Sequence, residues 1–189
     1  METILVGLGN PGSEFARTRH NVGAEAVELL AERLGGRLGV DRRVRARLAR
    51  VRLGERAVIL AVPTTYMNDS GQAVSALVRR YALEDLEHLV VVHDELDLPV
   101  GVVKVKSGGG SAGHNGLRSI QAHLHDSGYT RVRIGIGRPP SRDAGADYVL
   151  SRPKRLEREQ LDLATETAAD ALEEVATSGV TSAMNRFNT

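Results

Sequence analysis

The chain is expected to fold as a single α/β domain, with one mixed, mostly parallel twisted sheet and helices on both faces. Three observations predict it. Short apolar runs of strand length alternate with segments of helical periodicity. Two strand-like segments early in the chain are separated only by Gly54-Glu55, which predicts one hairpin. No repeat, low-complexity tract or linker interrupts the 189 residues. Strands alternating with helices close into parallel pairs through crossovers, and the hairpin makes the sheet mixed.

Thr3 to Leu8 is a continuous apolar run, as in a strand buried on both faces, and Gly9-Asn10-Pro11-Gly12 stops it. Asn21 to Leu34 carries Val27, Leu30 and Leu34 at helical spacing and ends at Gly35-Gly36. From Arg43 to Leu53 arginine alternates with Val44, Ala46 and Leu48; the parity then slips at Ala49 before Val51 and Leu53, which predicts a strand with a bulge. Ala57 to Val62 is the second hairpin strand and Pro63 to Gly71 a loop. Val74, Leu77, Val78 and Tyr81 mark one helix face, with Asp69 and Gln72 at capping-box spacing.

Leu89 to Val92 is another buried strand, and it delivers His93-Asp94-Glu95 at its C-terminal end, where open α/β sheets carry their chemistry. Val102 to Lys106 alternates as a strand, and Gly108-Gly109-Gly110 breaks the chain. Leu117, Ile120 and Leu124 predict a short helix, and Arg131 to Ile136 alternates again as a strand. Arg138 to Gly145 is a Pro- and Gly-containing loop of the kind that acts as a lid, and Leu156 to Ala176 is a long amphipathic helix.

Composition narrows the chemistry. With 41% hydrophobic and 26% charged residues the chain is globular rather than disordered. The absence of cysteine excludes disulfides, thiolate-bound metal and a thiol nucleophile, leaving water, hydroxyl or carboxylate. No apolar run approaches the ~20 residues that span a bilayer, and Met1 to Leu8 enters a strand rather than a charged signal region. A cytoplasmic protein without membrane association is expected. Asn68-Asp69-Ser70 and His93-Asp94-Glu95-Leu96 therefore carry no glycosylation or sorting meaning.

The net charge of +1 conceals a local asymmetry. Eight arginines stand against Asp41 and Glu55 between Arg37 and Arg56, and seven acids against Arg158 between Glu157 and Glu174. A basic surface of this kind suits a polyanion, and a solvated strand face explains the arginines equally well.

Three familiar patterns fail on context. Gly7-Leu8-Gly9-Asn10-Pro11-Gly12 matches a dinucleotide fingerprint, yet Ser13 to Arg19 has no apolar helix face and the next strand is arginine-rich rather than ending in an acid. Gly109-Gly110-Ser111-Ala112-Gly113 matches a nucleophile elbow, but every histidine after Ser111 precedes the first acid, Asp126, so the required order of acid before histidine is absent. Six histidines invite a metal, with His93, Asp94, His114, His123 and His125 as possible ligands, but none has a recognised ligand spacing. No metal and no cofactor are expected.

What remains is a company of Asn10, His20, Asn21, Asn68, Asp94 and Asn115, each in or beside a loop. A carboxylate can hold a neutral histidine as general base while carboxamides bind a carbonyl or place a water. Lys104 and Lys106, two of only three lysines, project from one strand face and can meet phosphate.

Six stretches carry a family resemblance: Gly7 to Gly12, Thr18-Arg19-His20-Asn21-Val22-Gly23, Tyr66-Met67-Asn68 with Ser70-Gly71, His93 to Pro99, Gly113-His114-Asn115-Gly116-Leu117, and Arg133 to Gly137. In this order they resemble the bacterial-type peptidyl-tRNA hydrolases. The resemblance implies a monomeric, cofactor-free enzyme of translation that cleaves the ester between a peptide and the terminal ribose of tRNA. It implies His20 as catalytic base, Asp94 as its orienting partner, and Asn10, Asn68 and Asn115 as substrate-binding and water-placing amides. Phe15, Met67 and Arg133 join Lys104 and Lys106 as substrate or tRNA contacts. The family usually has Tyr where Phe15 stands, so the hydroxyl is lost and the aromatic face kept. The alternatives are a non-catalytic RNA-binding relative of the same fold, which would have no use for His20 with Asp94, and a metal-dependent hydrolase.

Overall fold

A computed structural model describes residues 2–189; Met1, where the expected signal-free start begins, lies outside them. Seven strands form one sheet: β1 (Thr3–Gly7), β2 (Gly39–Asp41), β3 (Ala46–Leu53), β4 (Arg56–Pro63), β5 (Leu89–Glu95), β6 (Val103–Ser107) and β7 (Thr130–Gly135). Their spatial order is β2-β3-β4-β1-β5-β7-β6. The inner four, β4, β1, β5 and β7, run parallel, while β2 and β3 at one edge and β6 at the other are antiparallel. This is the mixed sheet expected, with its parallel part in the middle.

Both faces are covered, as parallel strands require. Six helices do so: α1 (Val22–Arg33), α2 (Ser70–Arg80), α3 (Asn115–Leu124), α4 (Gly145–Val149), α5 (Arg155–Ser178) and α6 (Val180–Phe187). Leu5, Leu60, Val92 and Val132 pack beneath α1 and α5, and Ile4, Val6, Ile59 and Val91 beneath α2 and α3. The apolar runs of β1 and β5 read as continuous because alternate side chains enter different cores.

The same rule corrects the expected bulge. β3 pairs with β4 without interruption from Ala46 opposite Pro63 to Leu53 opposite Arg56. Ala46 and Leu48 face the core under α2 and α3, whereas Ala49, Val51 and Leu53 face the one under α1 and α5. The parity slip is thus a change of buried face along a regular strand. Arg43 to Arg45 belong to the turn that joins β2 to β3, and Arg45 has φ 52.

The capping box also fails to form. A one-turn 3-10 helix, Met67–Asp69, runs directly into α2, so Asp69 has φ −110 and ψ 12 and makes no side-chain cap bond. Early amides of α2 are satisfied elsewhere, Ser70 N–H by the Met67 carbonyl and Gly71 N–H by Ser119 Oγ at 2.9 Å. Gln72 instead accepts from Arg45.

Two glycines set the position of α1. A Cβ on Gly7 would lie 2.3 Å from the Gly23 carbonyl oxygen, and one on Gly23 would lie 2.2 Å from that of Val92. Only bare backbone lets the start of α1 rest on the C-terminal ends of β1 and β5. At the far edge, the Asn188 carboxamide pairs with the backbone of β6: Val105 N–H donates to Oδ1 and Nδ2 donates to the Val105 carbonyl, both at 2.8 Å.

Candidate active site

The close seat of α1 brings the one-turn 3-10 helix Arg19–Asn21 over the end of β5. There the His20 Nδ1–H donates to Asp94 Oδ2 at 2.8 Å, with His20 7% and Asp94 2% exposed. Burial alone would lower the imidazole pKa, but the Asp94 charge and hydrogen bond outweigh it and hold His20 above its ordinary value. For Asp94 burial acts upward and is overcome by His20 and His114, which keep the carboxyl well below the usual carboxylate range. With Nδ1 engaged, Nε2 of His20 is the ring's available base.

The other oxygen of Asp94 is also taken. His114 Nε2 lies 2.8 Å from Oδ1, while its Nδ1 accepts the Gly116 and Leu117 amides at 3.1 and 3.3 Å. Histidine is therefore the N-cap of α3. A ring nitrogen that accepts two amides carries no proton, so the proton is on Nε2 and points at Asp94. Sequence reasoning gave His114 no role beyond possible metal ligation, although an imidazole directly before the Leu117, Ile120, Leu124 stripe, where Ser, Thr, Asp or Asn would be usual, was the available signal.

His20, Asp94 and His114 do lie close enough to share a metal, their donor atoms all within 4.8 Å of one another. Their mutual contacts nonetheless have hydrogen-bond geometry, and each imidazole spends on Asp94 a proton that coordination would have to remove. His93, 1% exposed, donates from Nδ1 to the Asp94 carbonyl at 2.7 Å and meets the His114 ring edge at 5.1 Å. Burial first, and then His114, push its pKa down to about 3. It fixes the backbone that carries the carboxylate.

The amides fall into two groups. Asn21 clips the first loop, accepting Asn10 N–H at 2.8 Å and donating to the Asn10 carbonyl at 2.9 Å. Asn10 in turn accepts Met67 N–H at 2.7 Å through Oδ1, so its carboxamide joins β1 to the segment after β4. Asn68 and Asn115 lie at the surface, the first beside buried Met67 and the second beside His114. Phe15 packs edge to face against Tyr66.

Lys104 and Lys106 pair across the ladder with Arg133 and Arg131, and β7 sets Arg133 beside His93 on β5. Four cations thus share one sheet face. A cleft of about 310 Å³ opens there, lined by His93, Lys106, Arg131 and Arg133 among others. The Gly108 to Gly110 loop bends over it, and the Arg131 guanidinium binds the Gly109 and Gly110 carbonyls. That contact, with α3 starting only at Asn115, explains the glycines around Ser111 without a nucleophile elbow. The dinucleotide-like glycines are explained by the packing of Gly7 on Gly23. The arginine run lies at the opposite edge, just before β2, in the turn from β2 to β3, along β3 and at the start of β4, with Arg47 on Glu28 and Arg50 on Glu2.

Arg19 anchors the turn that carries His20. It makes two 2.8 Å bonds to Glu157 on α5 and stacks 4.1 Å over Tyr148 on α4, whose hydroxyl donates to the Ile136 carbonyl. The Arg138 to Gly145 loop is thereby tethered at its far end.

The chain is similar over nearly its whole length to proteins of one family. The family model described as peptidyl-tRNA hydrolase matches residues 4–189. A peptidyl-tRNA hydrolase of Nocardia farcinica is 49% identical over 185 residues, 98% of this chain and 95% of the relative. That of Rhodococcus erythropolis is 48% identical over 98% of this chain and 97% of its own. The solved peptidyl-tRNA hydrolase of Acinetobacter baumannii superposes with a TM-score of 0.94 at 39% identity, covering 100% of this chain and 95% of that one. A family model that matches residues 4–189, with relatives 48–49% identical over almost their whole length, establishes that this chain belongs to the peptidyl-tRNA hydrolase family.

Proposed function

We propose that the protein hydrolyses the ester linking a peptide, or an N-blocked aminoacyl group, to the 3′-terminal ribose of tRNA, returning free tRNA to translation. The observation that carries this reading is the buried His20 Nδ1 to Asp94 contact of 2.8 Å. It fixes the tautomer whose Nε2 accepts a proton from water as the water oxygen attacks the ester carbonyl. The ribose oxygen leaves from the tetrahedral intermediate and takes the proton back from His20. An ester needs less activation than an amide, so an imidazole base suffices without a covalent intermediate.

In this reading Asn10 offers the carboxamide nitrogen that its bond to Met67 leaves over, and Asn68 and Asn115 at the surface bind the acyl group or place the water. Phe15 lines the acyl side, and Met67, 2% exposed, supports that side from within the core rather than touching substrate over any large surface. Lys104, Lys106 and Arg133 hold phosphate, which suits an enzyme that accepts many tRNAs by contacting backbone rather than base edges. The protein works as a monomer in the cytoplasm. Among the described residues no helix is long and apolar enough to cross a membrane. A purely RNA-binding role would leave the His20 and Asp94 pair without use. Incubation with an N-acetylated aminoacyl-tRNA decides between the two: release of free tRNA that is abolished by His20→Ala supports the hydrolase, and binding without turnover rejects it.

A further inference from the structure

The helices on the two faces of the sheet differ in charge. α1 carries three carboxylates and α5 seven, while α2 and α3 carry none. On the acid-free face, the alternation of β3 sets Arg50 and Arg52 in line with Ala46 and Leu48, which pack under α2 and α3. Their partners across the ladder, Ile59 and Ala57 on β4, offer no charge. Arg45 reaches Gln72 on α2, and the last turn of α2 adds Arg79 and Arg80. All five arginines are exposed. Among the described residues two carboxylates touch them: Asp41 meets Arg80 at 2.9 Å, and Glu2 meets Arg50. Arg52 finds only the Glu55 carbonyl, at 3.0 Å. A solvated strand face gains by setting opposite charges across the ladder, and like charges gathered without such partners repel one another.

We infer that this arginine edge is a second RNA-binding surface, which grips the backbone of an RNA other than the tRNA whose ester is cut. This goes beyond the hydrolase reading and rests on it only for where the substrate lies. Arg50 and Arg52 stand about 6.6 Å apart along an extended strand, a spacing at which neighbouring phosphates of one chain can each be met. Guanidinium forks bind phosphate in pairs of hydrogen bonds and read no sequence in doing so. RNA carries a negative charge at every unit of its chain, which an acidic protein surface does not, so a row of cations suits RNA better. The substrate's phosphates are claimed elsewhere, by Lys104 and Lys106 on β6. Five strand steps separate β3 from β6, about 24 Å, and Asp94 on β5 lies between them. A tRNA that reaches His20 from the β6 edge therefore runs away from β3 and leaves the arginines open.

The test saturates the protein with an unlabelled RNA minihelix whose N-acetyl-aminoacyl group is joined by an amide that is not cut. A short blunt-ended RNA duplex carrying a fluorophore is then titrated in and followed by anisotropy. The duplex should bind the saturated protein. Replacing Arg45, Arg50 and Arg52 together by Gln should flatten the slope of log Kd against log salt by about two to three, roughly one counterion for each phosphate released. The same variant should keep kcat/KM on a short 3′ ester fragment, which shows that it is folded. Absence of duplex binding at low salt, or binding that the three substitutions leave unmoved, overturns the inference. So does a duplex that binds only by displacing the minihelix, or a triple variant that loses minihelix affinity in equal measure, since the edge then belongs to the substrate. Polyglutamate that displaces the duplex at equal charge assigns the edge to acidic proteins and overturns it as well. An N-acetylated aminoacyl-tRNA that is not cut, with duplex binding intact, is a different result: it removes the hydrolase reading and leaves the RNA surface standing.

Discussion

His20 and His114 give their protons to opposite oxygens of one carboxylate, each at 2.8 Å, with their ring centroids 5.0 Å apart. Asp94 is thus fully used by two imidazoles, only one of which has a nitrogen left for substrate. The other spends its second nitrogen on the start of α3.

Asp94 holds His20 above its ordinary pKa against the opposing effect of burial, so the acid limb of kcat/KM should lie above about 6.5. The neutral ring is the active form, so activity falls as pH drops through the raised pKa of His20. Asp94→Asn removes the charge, so the limb should move to lower pH while the plateau falls by about 10²- to 10⁴-fold. His20→Ala should do at least as much, and the double variant should match it because the two act as one unit. Initial rates from about pH 5 to 9 check this, and additive losses would count against the pairing.

His114 has two duties that substitution can separate. His114→Ala should lower kcat/KM by about 10- to 100-fold by removing a bond to a charged group, and lower stability by about 1 kcal/mol by removing the cap. His114→Asn keeps a good capping side chain, so thermal melting should recover while turnover does not. Recovery of both would mean that the bond to Asp94 is incidental.

Lys104→Ala with Lys106→Ala should raise KM for full-length substrate and flatten its dependence on salt by about one counterion for each phosphate the protein no longer neutralises. A short 3′ fragment carrying the same ester should be spared. Equal effects on both substrates would place the lysines in the chemistry or the folding instead.

Arg19→Ala removes two bonds to Glu157 and the stack on Tyr148, and should cost about 1–3 kcal/mol in denaturant unfolding. Arg19→Lys should recover only part of this, because an ammonium cannot make the paired interaction. Full recovery would show that charge alone anchors the turn.

EDTA should leave turnover intact, since His20 and His114 hold Asp94 through the protons a metal would displace. Inhibition by the chelator that zinc or manganese reverses would make the triad a ligand set.

Much of the sheet was legible because burial on both faces leaves a plain mark: the apolar runs that begin at Thr3 and at Leu89 read as strands and are strands. What the chain pattern could not carry is the partition between two cores, which made Ala49 look like a bulge. The short elements β2 and α4, held by tertiary packing, left no periodicity to find, whereas α6 carried one in Val180, Ala183, Met184 and Phe187 that the reading of the chain passed over. In the site, His20 and Asp94 were legible as a pair, though what joins them is Gly23 resting on Val92, a relation between a glycine and a carbonyl far apart in the chain. His114 was missed because its role depends on which nitrogen caps a helix, and only the folded backbone decides that.

The Asn188 carboxamide on Val105 has a consequence for how the molecule meets copies of itself. β6 is an edge strand, and Val105 turns its backbone donor and acceptor outward, where an unpaired row of such groups is a template for adding a foreign strand. A side chain that imitates one residue of a neighbouring strand occupies the middle of that row, so an arriving strand finds its central position filled. Lys104 and Lys106 flank the same residue, and their charges discourage stacking of like edges. The strand that presents cations to a polyanion is thereby also kept from polymerising.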